Sequence, residues 1–179
     1  MKQDSVPVRT NILFVCLGNI CRSPMAEGLM RHMVKQSGLH DRIALDSAGL
    51  GSWHIGHPPD ERAVETLSIR GVEISDLRAR QISVDDFEKF DLILAMDRSN
   101  RQALAKLAPK DLGHKVHLLM EYAPNLGVHE IPDPYFGGRK GFDYVAQLIE
   151  TACRGVLHNF VAKPHLNPTS RNTSSLKEE

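Results

Sequence analysis

The chain lacks the features typical of secreted, membrane or nucleic-acid-binding proteins. Its three cysteines are too few, and odd in number, for a secreted disulfide framework, and they better fit a reducing compartment. No apolar run approaches the roughly 18–20 residues that cross a membrane, and residues 1–10 lack the apolar segment of a secretory signal. The 22 basic residues are balanced by 22 acidic ones, with no basic cluster. We therefore expect a cytoplasmic protein that binds neither nucleic acid nor membrane.

Complete motifs for nucleotide cofactors and metals are also missing. Residues 49–54 lack the third glycine of a dinucleotide fingerprint, and the Gly-Lys-Ser/Thr of a P-loop kinase does not occur. His54 and His57 lie in a Gly/Pro-rich loop, and His114 and His117 would point to opposite faces of an extended segment. We therefore expect no cofactor and no metal.

Strand and helix patterns alternate along most of the chain. Strands are predicted at residues 10–15, 42–47, 91–96 and 115–119, and helices at 24–36, 60–70, 83–87, 97–107 and 142–161. Ser23 is predicted to cap the first helix, with Pro24 in its first turn. The alternation predicts an α/β fold, a three-layer sandwich with helices on both faces of a four-stranded parallel sheet. A short lead at 1–9, a domain at 10–162 and a disordered tail at 163–179 complete the prediction.

The loop at residues 16–23, Cys-Leu-Gly-Asn-Ile-Cys-Arg-Ser, joins the first strand to the first helix. Ligands of parallel sheets bind beyond the carboxyl ends of the strands, and backbone N–H groups at a helix N-terminus bind anions. Cys16 is therefore a candidate nucleophile beside a phosphate site, because a helix N-terminus and a nearby cation favour the thiolate. Arg22 offers a planar fork of donors to two phosphoryl oxygens, and Gly18 lets the backbone approach the ligand. Ser23 is a candidate donor to the thiolate.

This chemistry predicts a phosphoenzyme route. The thiolate attacks phosphorus, an alcohol or phenol departs, and the thiophosphate is hydrolysed. One carboxyl group can act as the acid and then as the base, and Asp133 is the best candidate because prolines on both sides stiffen its loop. Tyr135 and Phe136 offer one apolar wall for an aromatic substituent, and Trp53 offers the opposite one. The simpler alternatives are a plain turn at Asp133 and an ordinary packed aromatic at Trp53.

Together these motifs resemble those of the low-molecular-weight protein tyrosine phosphatases. The likeness rests on the Cys-X5-Arg-Ser signature at residues 16–23 and the following Pro-Met-Ala-Glu. It extends through residues 46–49, Trp53, and residues 60–62, 79–81, 96–100 and 133–136, so it covers about residues 10–160. The resemblance implies a metal-free enzyme that hydrolyses phosphotyrosine. Its expected partners are tyrosine-phosphorylated proteins, and it is expected to be a monomer or to self-associate weakly.

The resemblance also implies a role for each site residue. Cys16 is the implied nucleophile, Arg22 the transition-state binder, and Asp133 the acid and then the base. The implied phosphate-binding residues are Leu17, Gly18, Asn19, Ile20, Cys21, Arg22 and Ser23; loop support comes from Asn19, Ser23 and Ser47; the substrate cleft contains Ile20, Trp53, Tyr135 and Phe136. Asn19 is implied to hold an unusual backbone conformation. Cys21 is similar to a loop cysteine that forms a reversible disulfide with the nucleophile in many relatives.

One departure from the family pattern concerns the support of the loop. Many relatives have His where this chain has Leu77. A hydrogen bond that supports the loop is therefore missing, or Asp76 replaces it.

Three alternative functions compete with this interpretation. An arsenate reductase would need a further cysteine pair in a mobile segment, and no cysteine lies between Cys21 and Cys153. Protein-arginine phosphatases typically have Thr where this chain has Ile20. A silent phosphopeptide-binding module would not need Cys16, Arg22 and Asp133 together.

Overall fold

The computed structural model describes residues 8–163. Most of the predicted lead (1–7) and the predicted tail beyond Lys163 therefore lie outside the described residues. Within them the chain forms four strands and five α-helices. Their order is β1 (Thr10–Cys16), α1 (Arg22–Gln36), β2 (Ile43–Gly49), α2 (Glu61–Ser68), α3 (Asp86–Lys89), β3 (Leu92–Ala95), α4 (Arg98–Leu107), β4 (Val116–Leu118) and α5 (Gly138–Ala162).

The four strands form a parallel sheet in the order β2-β1-β3-β4. Alternate residues of β1 point to opposite faces, so Ile12 and Phe14 enter one core and Leu13 and Val15 the other. The first core also contains residues of α1, α2 and α5, and the second contains residues of α3 and α4. The predicted three-layer α/β sandwich is therefore confirmed. Within residues 8–163, no helix has the length and apolar character that a membrane span requires.

The predicted cap of the first helix is wrong. Helix α1 begins at Arg22, one residue before Ser23, and Cys21 occupies the cap position without a side-chain hydrogen bond. The hydroxyl of Ser23 is buried in the first turn and lies 3.0 Å from the sulfur of Cys16. Its hydrogen bonds inside the loop prevent it from capping the helix, so no side chain caps the amides of this turn.

Two other boundaries differ from the prediction for identifiable reasons. Strand β2 extends to Gly49 because this residue pairs with Cys16 at the end of β1. Helix α5 begins at Gly138 rather than Phe142. Its first turn is exposed and carries Arg139 and Lys140, so it shows no apolar periodicity.

Candidate active site

A cavity of about 250 Å³ opens beyond the carboxyl end of β1. It is lined by Cys16, Leu17, Gly18, Ile20, Cys21, Arg22, Trp53, His54, Asp133, Tyr135 and Phe136. The three remaining predicted residues, Asn19, Ser23 and Ser47, are buried and share hydrogen bonds around the loop. The fold thus brings together three segments that are far apart in the sequence.

Cys16 is the last residue of β1, and its thiol is buried at the base of the cavity. The backbone N–H of Asn19 donates to its sulfur at 3.3 Å, and the Ser23 hydroxyl lies 3.0 Å from it. Both groups can donate to a thiolate, and the N-terminal end of α1 adds a favourable dipole. This arrangement suits a sulfur that carries negative charge before attack and after departure.

Asn19 holds the loop in a left-handed conformation, with φ at +57°. Its side-chain amide donates to the hydroxyls of Ser23 at 2.8 Å and Ser47 at 3.0 Å. Its side-chain oxygen accepts from the backbone N–H of Arg80 at 3.0 Å. Asparagine tolerates this conformation better than most residues do. The three hydrogen bonds of its side chain keep the Asn19 backbone from changing to a more common conformation.

Glu27 extends this network into α1 and was missed by sequence reasoning. It accepts from Ser47 at 2.6 Å and from Arg31 at 2.8 Å. Burial raises the pKa of Glu27, and its hydrogen bond from Ser47 and the charge of Arg31 oppose that rise. The sequence did contain a signal for this role: Glu27 is a charged residue on the same helix face as Ser23 and Met30, a face that the helix buries.

In the region that the structure describes, neither Leu77 nor Asp76 makes a hydrogen bond to the phosphate-binding loop. Leu77 packs against the main core, and Asp76 is exposed and lies 3.4 Å from Arg31. Asp76 therefore reaches the loop only through Arg31 and Glu27, and does not bond to it directly. The backbone amide of Arg80 and the carboxylate of Glu27 provide the hydrogen bonds instead.

Arg22 is held by two acceptors on one nitrogen. Its Nη1 donates to Asp97 Oδ2 at 2.6 Å and to the Ile131 carbonyl at 2.9 Å, and its side chain is only 3% exposed. Its Nη2 lies 3.6 Å from Asp133 Oδ2. In the described part of the chain, Nε and Nη2 make no hydrogen bond, so donors remain for a phosphoryl group. Sequence reasoning missed Asp97, whose signal was its place directly after β3 at the functional edge of the sheet.

Asp133 lies at the mouth of the cavity, with its side chain 45% exposed. One carboxylate oxygen accepts from the backbone N–H of Tyr135 at 3.1 Å. The other carboxylate oxygen, Oδ2, makes no such bond and lies 3.6 Å from Arg22 Nη2. The carboxyl group is therefore accessible to a leaving oxygen and to water, as an acid and base must be.

Three exposed aromatic side chains border the cavity. Tyr135 and Phe136 pack edge to face, with ring centroids 5.0 Å apart. Trp53 is 67% exposed and covers Gly51, where a Cβ would overlap its ring. Exposed aromatic surfaces of this kind suit a planar aromatic group of a ligand.

The second loop cysteine differs from Cys16 in its surroundings. Burial raises the pKa of the Cys21 thiol, and the charge of Asp60 adds to the effect. Cys21 is therefore protonated near neutral pH. Cys153 is fully buried in α5, where burial also raises the pKa of its thiol.

The histidine pairs are not part of a larger cluster of candidate metal ligands: across residues 8–163, no three His, Cys, Asp or Glu side chains are grouped. His54 instead lines the cavity, where a Cβ on Gly18 would lie 3.1 Å from its ring. Gly18 thus leaves space for His54 as well as for a ligand.

Comparisons with known proteins agree with one another. The family model of the low molecular weight phosphotyrosine protein phosphatases matches residues 11–166. A putative low molecular weight protein-tyrosine-phosphatase of Synechocystis is 48% identical over 82% of this chain and 93% of its own length. The crystal structure of YfkJ from Bacillus subtilis has a TM-score of 0.84 at 40% identity, covering 89% of this chain and 99% of that one. A Drosophila arginine phosphatase has a TM-score of 0.77 at 39% identity, covering 83% and 96%.

Proposed function

The chain belongs to the low molecular weight phosphotyrosine protein phosphatase family and is a protein tyrosine phosphatase, and we propose that Cys16, Arg22 and Asp133 carry out the hydrolysis. The observation that carries this proposal is their convergence on one cavity, in which Arg22 Nη2 and Asp133 Oδ2 are 3.6 Å apart. A nucleophile, a phosphoryl-binding cation and a carboxyl group there face the same space.

The first step transfers the phosphoryl group to sulfur. The Cys16 thiolate attacks phosphorus, the bond to the phenolic oxygen breaks, and Asp133 gives that oxygen its proton. Arg22 binds two equatorial oxygens, and the backbone N–H groups of residues 17–23 surround the others. Because Asp97 and Ile131 already hold the guanidinium, little reorganisation is needed in the transition state.

The second step regenerates the enzyme. Asp133, now a carboxylate, takes a proton from water, and the water oxygen attacks phosphorus as the bond to sulfur breaks. Inorganic phosphate leaves, and the departing thiolate is stabilised by the backbone N–H of Asn19 and the hydroxyl of Ser23. No metal or organic cofactor is required by this scheme.

The substrate assignment rests on the border of the cavity. Trp53, Tyr135 and Phe136 favour a phosphorylated aromatic side chain over phosphoserine, so the expected partners are tyrosine-phosphorylated proteins. Phosphoarginine is the second candidate, because the Drosophila arginine phosphatase is 39% identical to this chain, against 40% for the low molecular weight protein-tyrosine-phosphatase YfkJ. Ile20 lines the cavity with an apolar side chain and favours the aromatic ring.

We further propose that the catalytic domain spans residues 10–162 and that the protein is cytoplasmic. We also propose that Cys21 protects Cys16 from irreversible oxidation. The elements from Thr10 to Ala162 support the domain limits. An arsenate-reductase relay finds no support, because Cys153 is buried on α5 and packs toward the Ala26 carbonyl.

The test compares the wild type with Cys16→Ser and Asp133→Ala on an aryl phosphate and on phosphotyrosine, phosphoserine and phosphoarginine peptides. We expect no turnover by Cys16→Ser and a loss of about 10²–10⁴-fold for Asp133→Ala on the phosphotyrosine peptide. Turnover that persists in Cys16→Ser would contradict the mechanism. Preference for the phosphoarginine peptide would change the substrate assignment, and phosphoserine turnover equal to that of phosphotyrosine would contradict the role of the aromatic border.

A further inference from the structure

We propose that Arg62 is a positioning residue, which sets the Asp133 carboxyl group over the phosphate-binding loop. The inference rests on the proposed function, in which Asp133 is the general acid. Arg62 belongs to α2 and does not line the cavity, so it would act through the loop that carries Asp133.

Arg62 is first tied to the phosphate-binding loop through Asp60. Its Nε and Nη2 donate to the two carboxylate oxygens of Asp60 at 2.9 and 2.8 Å, a bidentate pair. The backbone N–H of Asp60 donates to the carbonyl of Ile20 at 2.8 Å. The hydrogen bonds from Arg62 lower the pKa of Asp60 and keep the pair charged. One end of Arg62 is therefore fixed relative to the loop around Cys16.

The third donor of Arg62 reaches the segment that carries Asp133. Its Nη1 donates to the carbonyl of Tyr135 at 2.9 Å, and the guanidinium lies 5.5 Å from the Tyr135 ring centroid and 4.7 Å from that of Phe142. The N–H of the same Tyr135 donates to Asp133. The carbonyl and the amide of one residue thus connect Arg62 to the acid.

The segment has few other attachments. Ile131 is bonded to Met96 just before it, and the Gly137 amide bonds locally to Pro134. In the described part of the chain, the bond from Arg62 is the one hydrogen bond that reaches residues 132–137 from outside them. Asp133, Tyr135 and Phe136 are exposed, and Pro134 is the one buried residue of the segment. From outside the segment, the Asp133 side chain is otherwise held by its ion pair with Arg22 at 3.6 Å. Loss of Arg62 would therefore remove the hydrogen bond that fixes the backbone beside Asp133 and let the acid move.

A displaced acid has a specific kinetic signature. Protonation matters little for a leaving group of low basicity such as 4-nitrophenolate, and matters greatly for phenolate. Displacement by about 1 Å is enough to cost about a hundredfold in rate. We therefore expect Arg62→Ala to lower kcat/KM on phenyl phosphate by about ten- to a hundredfold, and on 4-nitrophenyl phosphate by less than about threefold.

The experiment measures kcat/KM on both esters for the wild type, Arg62→Ala, Arg62→Lys, Asp133→Ala and Arg62→Ala/Asp133→Ala. Arg62→Lys retains a cation over Phe142 but cannot form the bidentate pair, so it should show the same leaving-group dependence with the fold preserved. The matched control is Arg139→Ala, which removes an exposed ion pair with Glu65 of α2 and should not change either rate. The double variant should lose no more than Asp133→Ala.

Four results would overturn the inference. The first is an equal loss on both esters in Arg62→Ala and Arg62→Lys, which would indicate a binding or purely structural role. The second is a double variant whose loss is the product of the two single losses. The third is an Asp133→Ala variant without leaving-group dependence, because the acid assignment of the proposed function would then fail, and this inference with it. The fourth is an unaffected Arg62→Lys beside an Asp133→Ala that does show the leaving-group dependence, which would contradict this inference and leave the proposed function standing.

Discussion

Arg22 and Asp97 form a partly buried ion pair across the carboxyl edge of the sheet, with Nη1 and Oδ2 2.6 Å apart. The same carboxylate caps α4 by accepting a hydrogen bond from the backbone N–H of Asn100 at 2.7 Å. Asp97 therefore connects the orientation of the phosphate-binding guanidinium to the position of a helix.

Removal of the Asp97 charge should impair catalysis more than folding. Asp97→Asn keeps an acceptor for the Asn100 amide but weakens the hold on Arg22. We expect kcat/KM on an aryl phosphate to fall by at least about tenfold, and the free energy of unfolding to fall by about 1–3 kcal/mol. Steady-state kinetics and urea unfolding measure the two effects. Asp91→Asn is the control, because Asp91 accepts from the Asn11 amide at the other end of β3 and should affect stability alone.

The buried Glu27 should make stability depend on pH. Burial raises the pKa of Glu27 above its ordinary value of 4.5, so the folded state retains the proton more strongly than the unfolded state. The stability that this group contributes is present below pH 4.5 and is lost as the pH rises through the folded pKa. Relative to Glu27→Gln, the wild type should therefore lose unfolding free energy with rising pH. Urea unfolding of the wild type and Glu27→Gln, from below pH 4.5 upward, measures how the free energy of unfolding depends on pH. Glu65→Gln, at an exposed position, is the control. A parallel pH dependence in wild type and Glu27→Gln would contradict the prediction.

Two variants of Asn19, the left-handed residue of the loop, should distinguish the effect of backbone conformation from that of hydrogen bonding. Asn19→Gly permits φ of +57° but removes three hydrogen bonds, whereas Asn19→Ala removes the bonds and adds strain of about 1–2 kcal/mol. We expect both variants to lose activity, and Asn19→Ala to be less stable by about that amount. Urea unfolding and kcat give the comparison. Equal stabilities would show that strain at this position is negligible.

Cys21 should permit recovery from oxidation. Peroxide converts the Cys16 thiolate to a sulfenic acid, and attack by the Cys21 sulfur releases water and forms a disulfide that a thiol reduces. The wild type should regain activity on treatment with dithiothreitol after peroxide, and Cys21→Ser should not. Cys153→Ser is the control, because its thiol is buried away from the site. Full recovery by Cys21→Ser would exclude the protective disulfide.

Local patterns predicted most of the fold. The apolar runs at β1 and β3 and the periodic stripes of α1, α2 and α5 were identified because side-chain spacing follows backbone geometry. The cap of α1 was misassigned because Ser23 forms its hydrogen bonds within the loop. The contact of Ser23 with Cys16 was itself predicted from the sequence, and it is incompatible with the predicted cap.

The sequence by itself determined the α/β class, because strand and helix patterns alternate along the chain, and the loop at residues 16–23, because the spacing of Cys16 and Arg22 lies within one short segment. Only the tertiary structure decided that Asp97 holds Arg22, that Glu27 supports the loop, and that Arg62 reaches the segment carrying Asp133. These contacts join residues tens of positions apart. They depend on the strand order β2-β1-β3-β4 and on the packing of helices over it, and those long-range choices leave no periodic signal in the chain.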